Sequence, residues 1–87
     1  MLGYYCKILL RIIMYKLIWE FRGSMSKGTA AHHRLHLEEF GDKEGLVNFS
    51  TKLEVLNEMH SLAIITVSEQ DKEKVVNALS PHKTEKV

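Results

Sequence analysis

The apolar residues of this chain change parity between Met14 and Tyr15, and this change limits what the first quarter of the chain can form. After the junction they fall on odd positions: Tyr15, Leu17, Trp19 and Phe21. Before it they fall on even positions: Tyr4, Cys6, Ile8, Leu10, Ile12 and Met14. One straight strand cannot carry both patterns, because a one-residue slip sends every side chain to the opposite face. Residues 15–22 therefore predict a strand with one buried face. Either a bulge follows Met14, or residues 1–13 are a separate extension, an edge strand or a helix.

The pattern then changes to helical spacing. Ser24 or Ser26 can accept hydrogen bonds from the first amides of a helix, and a helix is predicted from about Lys27 to Phe40. Gly41 is expected to end it in the left-handed conformation. The predicted apolar stripe of this helix is Ala30, His33, Leu37 and Phe40.

The second half of the chain predicts a hairpin and a second helix. Residues 46–56 alternate, 57–60 form a short turn, and 62–67 are an unbroken apolar strand typical of a central position. Ser68 is expected to cap the second helix together with Asp71, as a variant of the capping box. Pro81 ends that helix. The tail, residues 82–87, either frays or adds a very short strand.

This order, βαββα, predicts a ferredoxin-like α+β domain over residues 14–87, with two helices on one face of an antiparallel or mixed sheet. A right-handed crossover makes the first two strands parallel, and the third enters antiparallel between them. The first strand then has a free edge. Residues 4–13 or a second subunit could cover that edge, so we expect a homodimer.

The amino-acid composition limits the kinds of partner that this protein can bind. A formal net charge of +1 over 87 residues argues against a nucleic-acid binder, which needs a basic surplus. Lys7, Arg11 and Lys16 interrupt the apolar start of the chain, so no membrane-spanning segment is expected. The single cysteine, Cys6, excludes an internal disulfide, and a cytoplasmic location follows from it.

The predicted topology gathers polar residues at the end of the domain where the first strand finishes. His36 lies about one helical turn below that end. The other members of the group are Arg22, Ser24, Ser26, His32, His33, Asn57, Glu58, His60 and His82.

A metal site is the first chemistry this group suggests. His32 and His36 are four residues apart and project from the same side of a helix, so both rings can reach one divalent ion such as zinc. His60 and Glu58 are the candidates to complete the ligand set. The general-base glutamate that zinc metallopeptidases place after the first histidine is replaced by His33, which removes the hydrolase interpretation. The alternative is that His32 is solvated and His33 is a packed, hydrogen-bonded core residue.

The second chemistry that this group of residues suggests is the binding of an anion or a small metabolite. Arg22 can bind a carboxylate or phosphate, and Ser24 and Ser26 open a helix whose free amides favour negative charge. Asn57 is the fourth candidate ligand of this site.

No nucleophile motif or other catalytic signature is present. The sequence thus favours a small binding or regulatory module that takes a small ligand or divalent metal at its histidine-rich end. The alternatives are a structural dimerisation module in which residues 1–13 supply the contact, and an enzyme using histidine acid–base chemistry oriented by Glu58.

Overall fold

The computed structural model describes residues 13–87, and their secondary structure alternates in the order β-α-β-β-α-β. The elements are β1 (Met14–Arg22), α1 (Ser26–Glu44), β2 (Ser50–Asn57), β3 (His60–Ser68), α2 (Glu69–Leu79) and β4 (Lys83–Lys86). The strands form one antiparallel sheet in the order β2-β3-β1-β4. The chain is therefore an α+β domain, as predicted. The predicted extension, residues 1–13, lies outside the described residues except for Ile13.

The unbroken apolar segment becomes the central strand β3, which lies between β1 and β2 as the sequence predicts. Its register with β1 runs from Met14 opposite Ser68 to Arg22 opposite His60. The hairpin turn between β2 and β3 consists of Glu58 and Met59, with Asn57 opposite His60.

Both helices pack on the face that carries the odd-numbered residues of β1. Leu17 and Trp19 join one buried cluster with Leu37 of α1 and Val75 of α2. The indole Nε1 of Trp19 also donates a hydrogen bond to the carbonyl oxygen of Leu79, at 3.1 Å, which ties β1 to the end of α2. The helices share this side of the sheet because the alternation of β1 and β3 makes it continuously apolar. Ile18 and Ile64 pair on the other face and are also buried.

The prediction that the first strand has a free edge is wrong. β4 pairs with β1 from Tyr15 to Ile18, and the amide of His82 extends the pairing by donating to the carbonyl of Ile18 at 2.9 Å. The tail thus forms the very short strand that was one of its two predicted states. Among the described strands, the two edges of the sheet are therefore β2, with eight residues, and β4, with four.

Helix α1 is longer at both ends than predicted, and Gly41 does not end it. Gly41 lies inside the helix, where the ring of Phe49 fills the space that a Cβ atom would take. The left-handed stop is Gly45, at φ 68°. Neither Ser24 nor Ser26 caps the start, because Met25 is the N-cap and Ser26 is a buried first residue of the helix.

The predicted capping box of α2 is replaced by a link to the preceding loop. Ser68 is the N-cap but makes no side-chain bond to the helix amides. The Asp71 carboxylate instead accepts from the amide of Val47 at 3.0 Å and the hydroxyl of Ser68 at 3.4 Å. Because Val47 bonds to α2 and Leu46 is buried in the core, the strand predicted from residue 46 begins only at Ser50.

Candidate functional site: the histidines around the end of β1

Three of the histidines lie around the last residues of β1, one on each face of the sheet and one at its β4 edge. His33 of α1 packs on the helix side, with its ring centroid 4.9 Å from that of Trp19 and 5.6 Å from that of Phe21. His60 begins β3 opposite Arg22. His82 lies beside Glu20 at the β4 edge.

His60 is on the opposite face of the sheet from α1. Its neighbour Ser61 is fully buried on the helix side, and adjacent residues of a strand point to opposite faces. Consistent with this, the His60 charge is among the contributions that lower the pKa of Glu20, which is on the face away from the helices. His60 therefore does not join the histidines of α1.

His82 uses its ring to extend the β1–β4 pairing. The amide of Glu20 donates to His82 Nδ1 at 2.8 Å, which places the ring proton of neutral His82 on Nε2. The adjacent Lys83 ammonium lies 3.1 Å from the Glu20 carboxylate. The hydrogen bond from Lys83 to the Glu20 carboxylate is the main reason that the pKa of Glu20 lies below its ordinary value.

His32 and His36 form the closest pair of histidines in the described chain. Their Nε2 atoms are 2.9 Å apart and their ring centroids 4.5 Å apart. Both side chains are exposed on the outer surface of α1, and the His36 side chain is 58% accessible. The i,i+4 spacing brings the rings together, as predicted from the sequence.

Glu39 is a neighbour of this pair that the sequence interpretation missed. Its carboxylate oxygen lies 3.8 Å from His36 Nδ1. The signal was present, because a carboxylate three residues after a histidine lies on the same side of a helix.

His33 packs against the aromatic rings as predicted, but the hydrogen bond predicted for its ring is not found among the described residues. Nε2 is buried and has no partner there. Burial lowers the pKa of His33, and the charges of His36, His82 and His32 lower it further. The arrangement favours the neutral ring.

The residues predicted for an anion site are engaged elsewhere or lie apart. Arg22 pairs with Glu20 at 3.7 Å, and Ser24 is exposed in the turn. The hydroxyl of Ser26 is buried without a partner among the described residues. Asn57 Oδ1 accepts from the amide of Met59 at 2.8 Å, so it stabilises the hairpin turn. β3 lies between Arg22 and Asn57, since each is opposite His60 on a different side.

Glu58 is exposed at the tip of that turn. Within residues 13–87, no group of three or more His, Cys, Asp or Glu side chains converges as a metal site, and no pocket is present. No helix in this range is long and apolar enough to cross a membrane.

Comparison with known proteins yields no relative: no protein-family model matches the chain, and neither does any curated protein or solved structure. Function must therefore be argued from the residues themselves.

Proposed function

We propose that this protein binds one divalent transition-metal ion through the Nε2 atoms of His32 and His36. The observation that carries the proposal is their separation of 2.9 Å on an exposed helix surface. Imidazole nitrogen is a preferred ligand of zinc, copper and nickel. The role is that of a binding module, with no catalytic residue assigned.

Without metal the two Nε2 atoms are at hydrogen-bond distance, so one ring donates to the other, and a bound ion would take the place of that shared proton. The ion would hold the two nitrogens at a similar separation. Two nitrogens bound at about 2.0–2.1 Å and at a right angle are about 2.9 Å apart, whereas tetrahedral ligands are about 3.3 Å apart. Right angles between neighbouring ligands are typical of copper(II) and nickel(II). The exposed rings need to open by only about 0.4 Å to take zinc in tetrahedral geometry.

Binding fixes the protonation of both rings. Each Nε2 must offer its lone pair, so each Nδ1 must carry the proton. On His36 that proton is on the side of Glu39, whose carboxylate oxygen lies 3.8 Å from Nδ1. A carboxylate partner of this kind orients a ligand histidine and strengthens its binding.

Two protein ligands leave the remaining coordination positions to solvent or to an outside molecule. A site of this kind suits recruitment of a partner that carries its own metal ligands. His60 and Glu58 are left out of the ligand set, since His60 is on the other face of the sheet and Glu58 is at the turn.

The test is titration of the untagged protein with Ni²⁺, Cu²⁺ and Zn²⁺, followed by calorimetry and thermal unfolding. A metal at about ten times its Kd stabilises the fold by about 1.4 kcal/mol. For a domain of this size that corresponds to a rise of about 6–11 °C in Tm. His32→Ala and His36→Ala should each abolish the rise.

His60→Ala is the matched control, and it should leave the stoichiometry and Kd unchanged. The titration is repeated with Cys6→Ser, because a free thiol also binds these metals. Loss of binding in His60→Ala, or full binding in both His32→Ala and His36→Ala, contradicts the two-histidine site.

We also propose that the domain is of the ferredoxin-like type. The β-α-β-β-α-β order and the place of β3 between β1 and β2 support this. The lone cysteine supports a reducing, cytoplasmic location.

A further inference from the structure

β2 is an edge strand with one partner among the described residues. It pairs with β3 on one side, and no described strand lies on the other. Its sequence, Ser-Thr-Lys-Leu-Glu-Val-Leu-Asn, contains no proline. The outer backbone groups of such an edge are available to a further strand.

A second copy of the same strand can pair with this edge only in certain registers. In an antiparallel pair, directly opposite residues point to the same face of the sheet. A two-fold axis perpendicular to the sheet keeps each residue on its own face. The axis must therefore pass beside one residue, which then lies opposite its own copy.

Charge selects which residue that is. An axis at Lys52 places two lysines opposite each other, and an axis at Glu54 places two glutamates opposite each other. An axis at Leu53 places Lys52 opposite the partner's Glu54, and this occurs twice because of the symmetry. Cross-strand pairs of opposite charge stabilise a sheet and like charges destabilise it.

We propose that the protein forms a symmetric homodimer through β2, centred on Leu53, which joins two four-stranded sheets into one. The paired segment runs from Thr51 to Val55, so that Thr51 lies opposite the partner's Val55. It ends there because the register of β2 and β3 shifts between Val55 and Asn57.

The side chains at the seam fit this arrangement. Lys52 is exposed and Glu54 is partly exposed on the face of the sheet away from the helices, so both can reach a partner strand. Val55 is 46% exposed in the single chain, and it gains cover from the partner's Thr51. The Thr51 hydroxyl accepts from Arg34 at 3.1 Å and donates to Glu38 at 2.6 Å, so these hydrogen bonds link the strand to α1.

Sedimentation equilibrium of the full-length protein over a concentration series tests the proposal. The buffer contains EDTA, so that a metal ion bridging two His32–His36 pairs does not contribute. Lys52→Glu and Glu54→Lys each convert both attractive pairs into repulsive ones. Each should raise the dimer Kd by about 10- to 100-fold.

Two combinations should restore the dimer. In the double variant Lys52→Glu/Glu54→Lys the opposite charges exchange places, so the homodimer reforms. An equimolar mixture of the two single variants should form a heterodimer, since one supplies two glutamates and the other two lysines. Lys74→Glu on the exposed side of α2 is the control for net charge, and it should dimerise like the original protein.

A protein that stays monomeric at millimolar concentration overturns the proposal. So does a dimer whose Kd is the same in Lys52→Glu, Glu54→Lys and Lys74→Glu, because its interface then lies elsewhere. A dimer weakened by both single changes but not restored by the double variant rules out the register centred on Leu53.

Discussion

The ring of Phe49 lies against the backbone of Gly41, in the space that a side chain at that position would occupy. Phe49 comes from the loop that leads into β2, and it packs against the core beneath the last turns of α1. The loop can approach α1 this closely because residue 41 has no Cβ atom.

Gly41→Ala should lower the free energy of unfolding. The gain in helix propensity is about 1 kcal/mol. Displacement of the Phe49 ring costs about 1–3 kcal/mol and outweighs that gain over most of this range. Urea denaturation measures the difference. Gly28→Ala is the matched control, because nothing lies within 4 Å of its Cβ position, and it should be stabilising. An increase in stability for Gly41→Ala equal to that for Gly28→Ala would contradict the packing argument.

Asp71→Ala should destabilise the protein by about 0.5–1.5 kcal/mol, because the amide of Val47 loses its hydrogen-bond acceptor. Asp71 is only 6% exposed, so water replaces the lost bond poorly. The exposed Glu73→Ala, on the same helix, should change stability by about 0.5 kcal/mol or less. Hydrogen exchange of the Val47 amide locates the effect, and an unchanged exchange rate in Asp71→Ala would refute it.

Stability should fall as the pH drops below the ordinary histidine pKa of 6.5, because the pKa of His33 is lowered in the folded protein. Between the folded pKa and 6.5 the unfolded chain takes up a proton that the folded chain does not. The contribution of His33 is therefore complete above 6.5 and decreases on acidification through this window. Glu20 acts at lower pH, since its lowered pKa gives stability that is present above 4.5 and lost below it.

Unfolding free energies from urea denaturation between pH 5 and pH 8 measure this dependence. His33→Leu keeps the packing against Trp19 and Phe21 but cannot be protonated, so its stability should vary less with pH in that window. If the variant and the original protein give the same slope, the lowered pKa of His33 is not the cause.

The periodicity of apolar residues predicted the strands and helices that pack against one another. It did not predict the role of a residue that contacts a partner outside its own element. The alternation of Tyr15, Leu17, Trp19 and Phe21 and the apolar run of β3 place both strands correctly. Gly41 is the residue type that commonly ends a helix, but its role depends on Phe49, eight residues later. Likewise Asp71 has the position of a capping residue and instead bonds Val47. Local propensity carries no information about such contacts.

The candidate site shows the same difference between contacts along one helix, which the sequence predicts, and positions across the sheet, which it does not. The His32–His36 pair follows from spacing along one helix, so the sequence contains it fully. His60 was grouped with the pair because the topology places both near one end of the domain. The parity of β3 puts His60 on the other face of the sheet, and one residue of register decides that.

The bond from the Glu20 amide to His82 Nδ1 should control how firmly β4 is attached to β1. β4 has four residues, all exposed, so its attachment depends on backbone pairing and on this ring. His82→Ala removes the acceptor while keeping the His82 backbone bond to the Ile18 carbonyl. A hydrogen bond of this kind contributes about 0.5–1.5 kcal/mol, so the Glu20 amide should exchange about 2- to 12-fold faster. His82→Asn is the control, because its side-chain oxygen can accept from the same amide and should restore much of the protection. Equal exchange rates at Glu20 in the original protein and in His82→Ala would show that the ring does not hold the strand.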